Sequence, residues 1–444
     1  AGGGSANFKE GLPTFEIPIS NLVPGLAGLS LLPQAAKYSV TGYNADISFE
    51  GSSIFWGIQL GATYKFDEMF SGYAGVRYLP STNTYKGNIS NIQLNVNGTL
   101  VKADTWMTGT AVPAISSLAT QATGAAATYT TGANVVQQLI SGGAGNYTLT
   151  QVQNAGYISS AQMAQFEALL ANLNLTPAQI AALNMNQIKT YYSGAVSSYQ
   201  ANAALLNGTA SGLSDAAEKL GDKEVDTKQT GAGWTPIIGA NFFPAENLNI
   251  ALKYEFKTIL ELTNDTKVDD LGMFPNKGKS RNDIPAIFNA GIGYKPVDWL
   301  EAQLSYNLYF DKGVSWGNNV RYSGVYGTAV ERKIDKNYYE LALGLQFNLN
   351  DKLALSAGLL TSQPGVSENY QSDFSYSNPS NTIGGGLQWK ITDQLTLDLG
   401  ALNTFYKDVD ITYQDSNVTG GKYTDTLGKT TFIFSAGLTY SIFK

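Results

Sequence analysis

The chain has 444 residues, a net charge of −7, 47 Gly, 26 Tyr and 19 Phe, and it contains neither Cys nor His. Without His there is no Ser-His or Cys-His nucleophile and no common general base, which disfavours an enzyme; without Cys there is no disulfide framework or thiolate metal site, and no cofactor or metal is expected. Only 14% of residues are charged against roughly 25% in soluble proteins, no apolar run long enough for a membrane helix occurs, and mild acidity without a basic stripe argues against nucleic acid.

In chain order, residues 1–36 read as a loop that opens Ala1-Gly2-Gly3-Gly4-Ser5. Residues 37–97 carry alternating strands. In the first, 52–66, Ile54, Trp56, Ile58, Leu60, Tyr64 and Phe66 fall on one face; it extends back toward Tyr38. The next, 70–80, places Phe70, Ala74, Val76 and Tyr78 outward and Tyr73, Gly75 and Arg77 inward. An insertion at 98–230 follows. Its residues 103–150 are rich in Ala, Thr and Gly and only weakly patterned, whereas 157–221 reads as helices. Ser159 opens one helix, with Met163, Phe166, Leu169, Leu170 and Leu173 along a face, and Thr176-Pro177 opens the next. Strands resume from 231 to 444: 232–243, 248–260, 284–294, 300–311, 339–349, 353–361, 383–391, 395–413 and 431–443.

Five short turns share their chemistry: Lys65–Met69, Phe243–Asn247, Lys295–Trp299, Asn348–Lys352 and Lys390–Gln394. Between them lie long excursions rich in Asn, Ser, Gly, Asp and Tyr. Tight turns on one side and long loops on the other are the pattern of an all-β, transmembrane antiparallel β-barrel with a helical extracellular insertion. Phe443, next to last, looks like the aromatic assembly signal of outer-membrane barrels. About eleven strands are visible; single-chain bacterial barrels use an even number, so further sequence upstream of Ala1 is expected.

Several segments resemble the outer-membrane long-chain fatty-acid transporters (the FadL-like or toluene-transporter family). They are Gly3–Phe8 with Gly11–Glu16, Gly61–Phe66 with Gly75–Tyr78, Gly233–Pro236, Leu252–Lys257, and Asp283–Pro285 leading into Asn289–Tyr294. The resemblance implies a fourteen-stranded FadL-like barrel with an N-terminal hatch, in which 52–66 corresponds to the fourth strand. It also implies a monomer in the outer membrane of a Gram-negative bacterium, with the C-terminus periplasmic and the long loops extracellular.

The implied function is passive uptake of long-chain fatty acids or other hydrophobic small molecules. They would be captured in a groove between the helical insertion and residues 263–283, then pass through the lumen to a lateral opening. Met163, Phe166, Leu169 and Leu170 on one side and Leu271, Met273 and Phe274 on the other are the ligand-binding candidates; packing inside the cap is the alternative for the first four. A fatty carboxylate needs a cation in an apolar site. Arg77, Lys86 and Lys253 are the candidates, with pairing of Lys253 to Glu255 or Glu301 as the alternative; if no cation is free, neutral hydrocarbons fit better. Expected partners are membrane lipid and lipopolysaccharide, the hydrophobic ligand, and in the competing reading a protein bound at the extracellular loops by a structural or adaptor barrel. A general porin fits poorly, because the inward faces are small and weakly charged.

Overall fold

The computed structural model describes residues 2–8, 16, 19, 20, 23, 26, 40–314, 320–322, 329–373, 375–415 and 420–441. The resembling segment 11–15 and the terminal Phe443 lie outside the described residues. The chain divides into two compact units, one of residues 1–24, 45–91 and 222–444, the other of 25–44 and 92–221.

The first unit is dominated by an antiparallel sheet. The first strands of the chain are β1 (Gly2–Phe8), β2 (Val40–Phe55), β3 (Ile58–Lys65), β4 (Phe70–Val96) and β5 (Thr99–Lys102), of which the start of β2, the end of β4 and β5 fall within the second unit's residues. After the helices come β6 (Lys223–Ala245), β7 (Leu248–Glu255), β8 (Glu261–Asp269), β9 (Lys279–Arg281), β10 (Ile287–Val297) and β11 (Leu300–Tyr309). Beyond a small pair, β12 (Val320–Tyr322) and β13 (Ala329–Glu331), follow β14 (Tyr338–Asn350), β15 (Leu353–Gln363), β16 (Ser380–Lys390) and β17 (Leu395–Tyr406). A separate hairpin of β18 (Val409–Gln414) and β19 (Lys422–Leu427) precedes β20 (Thr430–Tyr440). The main path runs β1-β2-β4-β6-β7-β10-β11-β14-β15-β16-β17-β20, with β3 and β5 on β4, and β8 and β9 extending β6 at the loop end. Among the described residues β20 is not paired with β1 or β3, so the sheet is open there.

Each of the five short turns joins neighbouring strands, and their side chains explain why. Asp67 Oδ1 accepts from the amides of Met69 and Phe70. Asn350 Oδ1 accepts from Lys352 and Leu353, and Thr392 Oγ1 from Gln394 and Leu395. These are Asx- and Ser/Thr-type turns, in which a short polar side chain replaces the backbone acceptor.

Strand register aligns the apolar positions into one outer wall. A single row runs Phe70, Phe242, Ile250, Ile292, Leu304, Leu343, Leu359, Ile383 across eight strands. Much of this wall is exposed: Leu60 76%, Leu438 71% and Phe432 69%. Aromatic residues mark its two borders. Phe70 and Tyr78, Trp234 and Phe242, Tyr339 and Phe347, and Phe432 and Tyr440 are each eight residues apart along one strand. Eight residues of extended chain span about 26 Å, the height of a barrel's apolar band.

The opposite face is sheltered. In β6, Val225, Thr227, Gln229, Gly233, Thr235 and Ile237 are buried while Asp226, Lys228, Thr230, Ala232, Trp234 and Pro236 are not. Polar side chains here bond across strands: Ser53 Oγ to Asn83 Oδ1 at 2.5 Å, Asn83 Nδ2 to Gln229 Oε1 at 3.3 Å, and Gln229 Nε2 to Asn264 Oδ1 at 2.9 Å.

The second unit is helical. It contains α1 (Ala103–Trp106), α2 (Val112–Leu139), α3 (Leu149–Asn154), α4 (Ser160–Ala171), α5 (Pro177–Ala182) and α6 (Met185–Lys219), with a π-turn at Met107–Ala111. Four successive helices start on the same capping box: Thr148 with Gln151, Ser159 with Gln162, Thr176 with Gln179, and Asn184 with Gln187. In each, the cap side chain and the Gln satisfy backbone amides reciprocally. The core gathers Tyr129, Val136, Leu149, Phe166, Leu170, Ile188 and Tyr192.

Four expectations need correction. Residues 2–8 are not loop: they pair with β2, Gly2 opposite Phe55 and Phe8 opposite Phe49, which adds a strand to the eleven. A Gly- and Ser-rich segment has no apolar alternation, so pairing with β2 specifies it. Strand β4 runs 27 residues rather than stopping near 80, because its extension is Thr-, Asn- and Tyr-rich, polar yet favourable for strand. Residues 103–139 are helical: the buried stripe of α2 uses Ala119, Ala126 and Gly132, small residues that give little hydrophobic contrast. Finally, the strand expected at 395–413 ends at Tyr406, and Val409 begins the separate hairpin.

Candidate functional site

At the loop end of the sheltered face, β2, β4 and β6 bring apolar side chains together. Ile47, Phe49, Ile89 and Val225 line a cleft closed by Leu271, Met273 and Phe274 from the β8–β9 connection. The rings form a stack: Phe49 to Tyr85 at 6.4 Å between centroids, and Tyr85 to Phe274 at 5.2 Å with an interplanar angle of 15°. The connection is held by its own polar groups. Asp269 accepts from the amides of Met273 (2.8 Å) and Phe274 (2.7 Å), and Thr266 Oγ1 donates to the Phe274 carbonyl at 2.7 Å. Gly272 takes φ +66 there, a conformation costly for residues with a Cβ. The free volume is about 20 Å³, so Phe274 itself fills the cleft, while Leu271 (42%) and Met273 (45%) remain exposed.

The structure thus places Leu271, Met273 and Phe274 in one apolar cleft. Met163, Phe166, Leu169 and Leu170 are elsewhere. Phe166 and Leu170 are buried in the helical core, and Met163 and Leu169 pack against it. Their apolar stripe is engaged in the unit's own packing, the alternative to a ligand role.

The three candidate cations are also redistributed. Arg77 Nη1 lies 2.7 Å from Glu255 Oε2 and its Nη2 3.2 Å from Oε1, while Gln59 Oε1 accepts from Nε and Nη2. Lys253 Nζ lies 2.9 Å from the same Glu255. Both cations are therefore engaged by one buried carboxylate, the pairing that opposed a ligand role. Lys86 stands opposite Asp226, whereas Tyr85 stands opposite Thr227 and Gly87 opposite Val225. Alternation puts Lys86 on the face away from the ring stack. It lines a polar basin of about 470 Å³ with Glu50, Asn88, Asp222, Glu224 and Asp270, and cannot neutralise a carboxylate held in the cleft. The cation that does border the cleft is Lys223, opposite Ile89.

Between cleft and turns, the sheltered face is polar and then hollow. A charged cluster forms around Asp283. Burial opposes its charge, but hydrogen bonds from Arg281, the Leu260 amide and Lys257 outweigh this and hold the carboxyl below its ordinary range. Glu340 accepts from Tyr309, Asn307 and Tyr338. Toward the short turns, a row runs Asn249, Gly293, Gln303, Gly344, Gly358, Gly384, Leu402, Ile433. These small side chains leave a trough of about 690 Å³ adjoined by a second hollow of about 370 Å³. A Cβ added at Gly344 would meet nothing within 4 Å, so that glycine leaves space rather than permitting contact.

Sequence reasoning missed Phe49, Tyr85, Ile89, Val225 and Lys223. The signal was present as period-two alternation in 47–49 and 85–89, but polar neighbours masked it. Among the described residues, no helix is long and apolar enough to cross a membrane and no cluster of acidic side chains could hold a metal ion.

No protein-family model matches the chain and no curated protein sequence matches it. Among solved structures, the fold is similar to a FadL homologue of Pseudomonas aeruginosa at 12% identity and a TM-score of 0.42, covering 91% of this chain and 70% of that one. It is similar to the P. putida toluene transporter TodX at 11% identity and a TM-score of 0.38, covering 99% and 77%. It is also similar to the monoaromatic hydrocarbon channel CymD at 11% identity and a TM-score of 0.37, covering 94% and 93%. Likeness at this level carries no argument about what this chain does.

Proposed function

We propose that the chain lies in the outer membrane of a Gram-negative bacterium, short turns periplasmic and long loops outside, and gives passive passage to hydrophobic small molecules. The observation that carries this reading is the exposed apolar wall, eight strands wide in one unbroken row and bounded by aromatic residues about one hydrocarbon thickness apart. In water such a surface would drive aggregation; in lipid it is the stable solution. On the sheltered face the apolar cleft is the capture point, reached when Phe274 leaves Tyr85. The ligand then moves along the polar layer into the glycine-lined trough and leaves sideways. Lys223 borders the cleft, but beyond it Arg77 and Lys253 are both held by Glu255, so uncharged hydrocarbons suit the rest of the path better than fatty carboxylates.

The test is uptake of a radiolabelled hydrocarbon by Gram-negative cells lacking their own apolar uptake protein. Expression of the chain should raise the rate several-fold above vector, and Phe274→Ala, by emptying the cleft, should change that rate while leaving membrane insertion intact. Insertion without any rise in uptake, together with a protein partner retained in stoichiometric amount, would replace passage by the adaptor reading.

A further inference from the structure

The two hollows of the sheltered face meet at one carboxylate. Glu301 lines both the 690 Å³ trough and the adjoining 370 Å³ hollow. Its row continues through Gln346, Ser356, Gly386, Gly400 and Ser435, all uncharged. Gln303 Nε2 donates to Glu301 Oε1 at 2.7 Å, a neutral donor that leaves the negative charge in place. Among the described residues Glu301 has no ion-pair partner, unlike Glu255 and Asp283 on the same face. Among the described residues it is the only ionisable group lining the second hollow. In the first it is joined by Glu246 and Lys295 near a short turn, and Lys295 sits 3.7 Å from Asp298. The walls of the second hollow offer a passing molecule no cation.

We propose that Glu301 is a charge filter at the junction of the two hollows: it admits uncharged apolar molecules and turns back carboxylates of the same chain length. The proposal rests on the passage reading above and names its substrate class. A second carboxylate reaching this junction meets a like charge, enough to slow its transit roughly tenfold at an intermediate effective dielectric. The uncharged analogue meets no such barrier.

The experiment compares decanol and decanoate, both radiolabelled, in cells expressing the full protein at a pH where decanoate is ionised. The native chain should take up decanol faster than decanoate. Glu301→Gln, which keeps the shape and the Gln303 contact, should bring the two rates together, and Gln303→Glu, which adds a second charge opposite Gly344, should widen the gap. Heat-modifiable gel mobility confirms that each variant has folded. An unchanged ratio in Glu301→Gln, with decanol still entering, would overturn the filter and leave passage standing. Neither probe entering above vector would overturn the passage reading, and the filter with it.

Discussion

Tyr192 shows how a single residue ties a unit together. It is fully buried, its hydroxyl donates to the Phe166 carbonyl at 3.0 Å, and its ring lies 5.6 Å from Tyr129. Burial, with Tyr129 beside it, pushes its ionisation above the ordinary tyrosine value. The folded state therefore holds a proton that the unfolded chain releases above about pH 10, so stability is intact below that pH and falls as pH rises beyond it. Tyr192→Phe should cost about 1 kcal/mol at neutral pH and flatten the alkaline loss, both measurable by circular dichroism melts across pH. Leu170→Ala separates packing from binding in the same unit. It should cost about 2–5 kcal/mol because Leu170 is fully buried, with hydrocarbon uptake unchanged in the molecules that fold. A selective loss of uptake at full stability would return Leu170 to the ligand site.

Strands divide their labour by face, and the division can be tested on one element. Leu343 in β14 belongs to the outer apolar row and is 45% exposed; Ala342, beside it, falls on the opposite face by alternation. Leu343→Lys should destabilise the protein in a bilayer by about 2–4 kcal/mol, as a cation at mid-depth does. Ala342→Lys should cost much less and act on passage instead. Urea unfolding in lipid vesicles compares the two, and equal penalties would mean that the wall does not face lipid. Helices were less evenly legible. Ser159 and Thr176 announced α4 and α5 through their caps, whereas α2 was hidden because Ala and Gly form its buried stripe and Thr its surface.

At the scale of the molecule, the helical unit is an insertion between two strands that already meet. β4 and β6 pair from Phe70 opposite Phe242 to Ile89 opposite Lys223, and the Asn91 amide donates to Asp222 Oδ1 at 3.0 Å. Replacing residues 92–221 by an Asn-Gly turn, which suits a two-residue hairpin, should leave the sheet folded, with heat-modifiable mobility retained. Loss of the folded band would show that the sheet needs the helices.

The sequence by itself determined the class of the protein: alternation, short acidic turns and the lack of His and Cys are local properties, read without knowing which strand neighbours which. It also placed the outer wall, because a period of two assigns every second residue to one face. Only the tertiary structure decided the site. Arg77 reaches Glu255 because register sets β4 and β7 on either side of β6, whereas Lys253 and Glu255 are neighbours on one face of β7 and could be paired from the sequence; Phe274 stacks on Tyr85, and Tyr85 on Phe49, although the three are far apart in sequence; and Glu301 meets only neutral residues from β14 onward along its row. Such relations depend on register between distant segments, which local pattern does not encode.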